Sequence, residues 1–292
     1  MKYLILYNPF AGSKLSEEKL SKLAEIYENN VSYHNITKIS DYAEFFSSLE
    51  ADDVVVLCGG DGTLNRFIND TEGVEIKNDI LYYGKGSGND FLRDVEKTDA
   101  TEPFSIKEYI KDLPVVEVNG KTYRFINNVG FGIDGYCCQV GDEQKTKSDK
   151  PVNYTAIAIT GLLFHYKPTA ATVTVDGKSY EYKKVWIAPT MKGRFYGGGM
   201  IPTPDQDRKD PDGKLSVMIF YGKGRIKTLI AFPSIFKGQH VKHTDMVSIH
   251  EGKEISVTFD SPAPLQIDGE TILGVTSYKA FAKAKVPEKA NT

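Results

Sequence analysis

The chain has 292 residues, of which 40% are hydrophobic, 26% charged and 11% aromatic, the composition of a globular protein with room for two cores. That excludes disordered and collagen-like chains, and 3 cysteines are too few for a disulfide scaffold and suit a reducing cytoplasm. Lys and Arg number 36 against 39 Asp and Glu, a net charge of -3, so nucleic acid is not expected as the main partner.

The first apolar run, residues 3–7, stops at Asn8-Pro9, before the core of a signal peptide is complete. Leu15, Leu20, Leu23 and Ile26 then recur at helical spacing and end at Asn29-Asn30. The same order of apolar run, glycine loop and helical pattern returns twice. Residues 54–57 lead into Gly59-Gly60-Asp61-Gly62-Thr63, then Leu64, Phe67 and Ile68. Residues 80–83 lead into Gly84-Lys85-Gly86-Ser87-Gly88-Asn89-Asp90, then Phe91-Leu92. Unbroken apolar runs alternating with helices predict strands buried on both faces, hence a parallel α/β sheet. Ligands of such sheets bind at the carboxyl ends of the strands.

After Pro114 the pattern changes to alternation. Residues 115–118 and 123–126 flank Asn119-Gly120, a hairpin signal. Residues 171–175 turn at Asp176-Gly177, and 182–188, 215–221 and 255–259 alternate likewise, so this part is expected to be antiparallel β. Residues 141–150 read as a charged, mobile loop. The most apolar internal run, 155–164, is about half of the roughly 20 residues a membrane-spanning helix needs.

Glycine loops that open helices suit phosphate, because the first N–H groups of a helix are unpaired and glycine lets the backbone close on an anion. Each loop alone also reads as a tight turn; three on successive strand ends favour a ligand. Neither a Walker A loop nor a dinucleotide fingerprint fits, since Gly84-Lys85-Gly86 meets Asn89 at the third glycine position.

Gly59-Gly60-Asp61-Gly62-Thr63, followed by Asn65, resembles the nucleotide loop shared by diacylglycerol, sphingoid and NAD kinases. Asn8-Pro9 with Gly12, Gly86-Ser87-Gly88-Asn89-Asp90, Gly130-Phe131-Gly132-Ile133-Asp134, Gly197-Gly198-Gly199 through Asp212-Gly213-Lys214-Leu215, and Asp268-Gly269-Glu270 resemble the diacylglycerol kinase catalytic-domain family in order and spacing. The resemblance covers nearly the whole chain and lies nearest the soluble bacterial lipid kinases. It implies a three-layer α/β nucleotide-binding domain over residues 1–114 and a β-sandwich lipid domain over 115–292. The active site is expected in the cleft between them, and the last residues are a candidate return to the first domain.

Carried over residue by residue, the resemblance places ATP against Asn8, Pro9, Phe10, Ala11, Gly12, Thr37, Gly59, Gly60, Asp61, Gly62, Thr63, Leu64, Asn65, Ser87, Asn89 and Asp90. Asp61 and Asp90 are expected near the phosphates and their Mg²⁺, a hard cation that prefers oxygen. Glu270 matches the family's proton acceptor, with Asp268 beside it. Asp212, with the carbonyls of Lys209 and Lys214, matches a structural Mg²⁺ site, although residues 205–212 also read as a charged turn. The implied activity is ATP- and Mg²⁺-dependent transfer to a lipid hydroxyl such as diacylglycerol. Phosphatidylglycerol, a sphingoid base or NAD is the alternative acceptor, and a nucleotide-binding regulator without turnover is the other reading. The expected partners are a lipid at a membrane surface and, as an option, a second copy in a homodimer.

Three features stand outside the resemblance. Arg66 replaces the Glu that commonly follows Asn in the related motif; either Arg66 and Lys85 grip phosphate, or Arg66 points to solvent and the replacement is neutral. Lys223, Arg225, Lys227 and Lys237 interleave with Leu229, Ile230, Phe232 and Phe236, a pattern for peripheral contact with anionic membranes or for an ordinary amphipathic helix. His240 and His243 are expected to be structural, Cys58 to pack at a strand end, and Cys137-Cys138 to fill core.

Overall fold

The computed structural model describes residues 1–10, 16, 20–28, 30–86, 88–147 and 152–283. The chain divides into two compact units, Met1–Asp112 and a second that begins at Leu113, one residue before Pro114, where the sequence pattern changes. Residues 284–292, which would decide whether the end of the chain returns to the first unit, lie outside the described residues.

In the first unit β1 (Tyr3–Tyr7), β2 (Val31–Asn35), β3 (Val54–Gly59) and β4 (Asp79–Gly84) pair in parallel in the order β2-β1-β3-β4. A two-residue strand, β5 (Phe104–Ser105), adds an antiparallel edge beside β4. Consecutive residues of a strand face opposite sides, yet Leu4, Ile5 and Leu6 are all buried, as are Val55, Val56 and Leu57. Both faces of the sheet are therefore covered. On one, Ile5, Val56, Cys58 and Tyr83 pack with Leu20 and Leu23, which flank the start of α1 (Ser21–Ile26). Ile26 faces solvent, contrary to its place in the leucine periodicity, while Leu15 and Asn29 lie outside the described residues.

The helix α2 (Tyr42–Ser47) starts on Asp41, whose carboxylate accepts the Ala43 and Glu44 N–H groups. Its Tyr42 meets Phe67 of α3 (Asp61–Asp70) edge-on at 5.9 Å. Two short helices, α4 (Asp90–Asp94) and α5 (Lys107–Ile110), complete the unit. Strands β2 and β5 are half-exposed edges without an unbroken apolar run, so neither is predicted from the pattern. From β1 the chain goes to β2 on one side and returns to β3 on the other, so the order reverses between β1 and β3. Ligands of open α/β sheets bind at such a switch point.

Among the described residues the second unit holds ten strands in one antiparallel sheet. Its first hairpin, β6 (Val115–Val118) and β7 (Lys121–Arg124), turns on Asn119 and Gly120 at φ 50° and 73°, the positive pair of a type I′ turn. Then come β8 (Asn128–Gly132), α6 (Ile133–Lys147), α7 (Tyr154–Thr160), β9 (Thr169–Val175), β10 (Lys178–Val185), β11 (Ile187–Met191) and β12 (Leu215–Phe220). They are followed by α8 (Arg225–Ala231), β13 (Val247–Gly252), β14 (Glu254–Ile267) and β15 (Glu270–Phe281). The first half of β14 pairs with β9 and its end pairs with β8, with register shifts between Thr258 and Leu265. A strand that changes partner through bulges folds one sheet back on itself. The enclosed core includes Val116, Phe131, Val173, Val217, Val257 and Tyr278, with Phe131 stacked on Phe259 at 4.5 Å.

Two expectations are corrected here. Residues 141–147 are not a loop but the last turns of α6, while 148–150 lie outside the described residues. The helix escaped notice because it lacks an apolar stripe and packs through glycines: a Cβ on Gly135 would lie 2.1 Å from the Pro264 carbonyl oxygen. The run 182–188 is two strands, not one, parted at Trp186, with Lys184 at φ 54° and a register shift between Tyr182 and Val185. No helix among the described residues is long and apolar enough to cross a membrane.

The Gly135 contact is with backbone, which cannot rotate away. Gly135→Ala is expected to destabilise the second unit by about 1–3 kcal/mol, read as a lower urea midpoint. An unchanged midpoint would mean that α6 shifts off β14 at no cost.

Candidate functional site

The candidate nucleotide residues of the first unit gather at the carboxyl ends of its parallel strands. Gly60 and Gly86, on the loops after β3 and β4, lie back to back: a Cβ on Gly60 would be 2.8 Å from Gly86 Cα, and one on Gly86 2.6 Å from Gly60 Cα. The Lys85 N–H and the Tyr82 hydroxyl both donate to the Gly59 carbonyl, at 2.7 and 3.0 Å. Across the switch point Asn8 Nδ2 donates to Thr63 Oγ1 at 3.4 Å, while Asn8 Oδ1 accepts the Phe10 N–H at 2.9 Å and shapes the turn at Pro9. Thr37 joins the same edge, because Asn35 pairs with Tyr7 and its side chain accepts from the Thr37 N–H and hydroxyl. Ala11, Gly12 and Ser87 lie outside the described residues.

Helix α3 begins at Asp61 with Gly60 as its N-cap, a residue with no side chain to cap it, so the start of the helix faces the switch point. Leu64 is fully buried and Thr63 and Asn65 nearly so, which leaves Gly60, Asp61 and Gly62 as the accessible part of the loop.

Asp61 has a second task. Its Oδ1 accepts the Phe91 N–H at 2.9 Å and its Oδ2 the Asp90 N–H at 3.1 Å, so the carboxylate caps α4 from another loop. Sequence reasoning marked Asp61 for the phosphates and their Mg²⁺; the cap is a structural duty beside that expectation. Asn89, the N-cap of α4 in sequence, is left-handed at φ 52° and makes no capping bond; its buried Oδ1 has no hydrogen-bond partner among the described residues. The Asp61 and Asp90 carboxylates converge on Gly88, whose missing Cβ would lie 3.3 Å from Asp61 Oδ2 and 3.7 Å from Asp90 Oδ2. Two carboxylate oxygens around one glycine are a donor set that fits a hard cation.

The two cations singled out in this region are engaged elsewhere. Exposed Arg66 bears on Asp70, one turn along α3, and on Tyr42: burial raises the pKa of both, and the guanidinium opposes that rise. Lys85 Nζ lies over the Tyr83 ring at 4.2 Å.

In the second unit β14 and β15 are joined by Asp268-Gly269, both at positive φ, 48° and 94°, again a type I′ turn. The Asp268 carboxylate accepts N–H groups from Ile126, Asn127 and Asn128 at 2.7, 2.8 and 2.8 Å. It therefore clamps the turn to the start of β8, a structural load that argues against Asp268 as a proton acceptor. Glu270, the next residue but one, is exposed and opposes Ile267. Behind the turn Gln266 accepts the Gly269 N–H through Oε1 at 2.9 Å and donates from Nε2 to Asp134 Oδ2 at 3.2 Å. Asp134 is buried, and burial pushes its carboxyl up to about 6. The glycines of its motif serve this packing: a Cβ on Gly130 would lie 2.5 Å from Asp134 Oδ2, and Gly132 sits at φ 124° against the Trp186 carbonyl. The Arg208 guanidinium closes the back of the clamp on the Ile126 carbonyl and Asn127 Oδ1.

Gln266 and Arg208 had escaped sequence reasoning. Gln266 alternates as an outward residue between Leu265 and Ile267 yet is buried, and Arg208 hid in a charged stretch. The expected structural Mg²⁺ loop fits poorly. The Lys214 carbonyl already accepts Gln206 Nε2 at 3.0 Å, and Asp212 lies 3.3 Å from Lys214 Nζ and 4.0 Å from Lys253 Nζ. Asp210 shapes this loop instead, held below the usual carboxylate range by the Lys214 and Asp212 N–H groups. Lys209 contributes its N–H to Asp207 Oδ1 at 2.8 Å. His240 is structural, its Nε2 2.8 Å from the Pro202 carbonyl, and Cys58 and Cys137 are buried and unpaired.

The first unit is thus an α/β sheet with a helix opening on glycine at its switch point, and the second an antiparallel β unit with a turn fastened by a carboxylate. Comparison with known proteins narrows the class. Residues 2–116 match the family described as "Diacylglycerol kinase catalytic domain", and residues 127–284 match "YegS C-terminal NAD kinase beta sandwich-like domain". The diacylglycerol kinase of Bacillus subtilis (strain 168) is 22% identical over 280 residues, 91% of this chain and 88% of the relative. That of Mycobacterium tuberculosis (strain CDC 1551 / Oshkosh) is 26% identical over 212 residues, 70% of this chain and 66% of the relative. A crystal structure of a diacylglycerol kinase from Bacillus anthracis str. Sterne shares the fold, with a TM-score of 0.59, 19% identity, and coverage of 96% and 93% of the two chains. The chain belongs to the diacylglycerol kinase family of lipid kinases.

Removing the Asp61 carboxylate leaves two N–H groups of α4 without their acceptor. Asp61→Ala is expected to cost about 1–2 kcal/mol, seen as a lower melting temperature of the first unit. An unchanged melt would show that the cap carries no load.

A carboxyl whose pKa is raised to about 6 on folding binds its proton in the folded state between about pH 4 and 6, where the unfolded chain has lost it. Its destabilising effect is therefore absent below pH 4, grows as pH rises, and is complete above pH 6. Asp134→Asn should gain on the wild type as pH rises from 4.5 to 7, by on the order of 1–2 kcal/mol in urea unfolding. A difference independent of pH would show that Asp134 titrates normally.

Proposed function

We propose that the protein transfers the γ-phosphoryl group of ATP to the hydroxyl of a membrane lipid, with diacylglycerol as the acceptor. The observation that carries this reading is the start of α3 on Gly60 at the β1/β3 switch point, in a chain whose first unit matches the diacylglycerol kinase catalytic domain and whose second matches the YegS C-terminal NAD kinase-like β-sandwich domain. Helix N–H groups and the macrodipole favour phosphate there. Gly60 and Gly62 leave room for the anion, and the bracket from Asp61 to α4 keeps the loops after β3 and β4 in register with each other.

Mg²⁺ bound by Asp61 and Asp90 would offset the phosphate charge. In the transfer the acceptor oxygen bonds to the γ-phosphorus, the bond to the β–γ bridging oxygen breaks, and ADP leaves. Glu270, exposed on a turn that Asp268 and Gln266 hold rigid, receives the hydroxyl proton. Asp268 and Gln266 are positioning residues in this account. The site of action is the cytoplasmic side of a membrane, where ATP and the lipid are both present.

Two measurements test the proposal. Incubation with γ-labelled ATP, Mg²⁺ and a panel of dioleoylglycerol, phosphatidylglycerol, sphingosine and NAD should label dioleoylglycerol. Label in another lipid would change the acceptor and keep the class; label in NAD, or nucleotide binding with no labelled product, would contradict the proposal. Glu270→Gln should slow transfer by on the order of 10²–10⁴-fold with ATP affinity unchanged. Slowing of under about tenfold with chemistry rate-limiting would remove Glu270 as the base.

A further inference from the structure

We propose that one face of the second unit, built from α8, the turns that follow it and the end of α7, docks on an anionic membrane surface; the inference rests on the lipid-kinase reading. Helix α8 is inverted relative to an ordinary surface helix. Its buried side chains are Thr228 and Ala231, while Ile226 and Ile230, four residues apart on the opposite face, are 72% and 75% exposed. The 3-10 turn Phe232–Lys237 continues the pattern, with Phe232 and Ile235 buried and Phe236 45% exposed. Beside α8 runs the π turn Gly161–His165, tied to it by Arg225 Nη1 donating to the Leu162 carbonyl at 2.8 Å. That turn carries Phe164, 71% exposed. Single exposed apolar residues are ordinary; a helix and a neighbouring turn that both aim their largest side chains outward form a patch that needs an occupant.

Charge selects the occupant. Residues 152–175 and 221–244, which supply the patch, contain no Asp or Glu, in a chain with 39 of them. Lys167, Lys227, Lys237 and Lys242 are exposed in the same segments. Two basic residues of the sequence pattern drop out: Lys223 pairs with Asp245 at 2.8 Å, and Arg225 is spent on Leu162 and the Trp186 ring. Phe232 drops out too, into the core. What is left is an apolar ridge rimmed by lysines, the form that inserts at the boundary between headgroups and acyl chains of an anionic leaflet. A kinase whose acceptor is dissolved in that leaflet must reach it, and this surface brings the protein there.

Flotation with vesicles of phosphatidylcholine, alone or with phosphatidylglycerol, tests the surface. The wild type should bind the anionic vesicles and lose most binding as salt rises. Lys227→Glu/Lys237→Glu should weaken anionic binding by at least about twentyfold, at roughly fivefold or more for each lysine lost. Ile226→Ser/Ile230→Ser should weaken it by about tenfold or more, with an unchanged melt because both side chains are exposed. No binding by the wild type, or binding indifferent to both double variants, would overturn the proposal. So would self-association in sedimentation that Ile226→Ser/Ile230→Ser abolishes, since the face would then belong to a second copy. Turnover of water-dispersed dihexanoylglycerol, measured in parallel, separates the two claims. Variants that keep this activity but lose it on vesicle-embedded lipid support both. Absent turnover of every acceptor with the vesicle pattern intact would remove the kinase reading and leave the surface standing.

Discussion

Everything at the switch point of the first unit depends on two backbones touching. Gly60 and Gly86 approach so closely that either Cβ would fall within 2.8 Å of the other's Cα. At that distance the loop after β3 can carry neither a side chain nor a different course, and the start of α3 is brought level with the start of α4. Asp61 then spans the gap, belonging to α3 by sequence and serving α4 by hydrogen bond. One residue of Cβ at either glycine would separate the helices and remove the cap. The glycines thus act through what they permit, and the carboxylate through what it fastens.

The second unit uses the same device with different parts. A glycine-bearing turn is fastened by a carboxylate to backbone N–H groups of another segment, here Asp268 to Ile126, Asn127 and Asn128. Behind it the buried acid Asp134 is tolerated because Gln266 answers it and the glycines of its motif make room. An acid kept at that depth costs stability at neutral pH, a cost that packing alone does not justify. Through Gln266 it is linked to the backbone of the turn beside Glu270.

The parallel sheet was legible because β1, β3 and β4 are buried on both faces and so are written as unbroken apolar runs. The hairpins of the second unit were legible from Asn-Gly and Asp-Gly pairs, which tolerate the positive φ that a type I′ turn demands. What escaped is equally physical. Edge strands β2 and β5 bury too little to leave a pattern, and α6 packs through glycines, which erase the stripe by which a helix is recognised. Among the site residues, motif resemblance marked Asp61, Asp268 and Glu270 for chemistry but gave no sign of the structural tasks of Asp61 and Asp268. Asp61 and Asp268 hold backbone from segments 30 and 142 residues away, and only coordinates reveal such partners. Arg66, conspicuous in the sequence, is exposed, and its charge opposes the rise that burial gives the pKa of Asp70 and Tyr42.

The central claim is that ATP places its phosphates on the first N–H groups of α3. Backbone amide NMR of the isotope-labelled protein, titrated with ATP and separately with adenosine, reports on those groups directly. The account predicts saturable shifts of the Gly60, Asp61 and Gly62 amides with ATP and Mg²⁺, and none of comparable size with adenosine. Shifts of equal size with both ligands, or an ATP response confined to residues away from the start of α3, would contradict it.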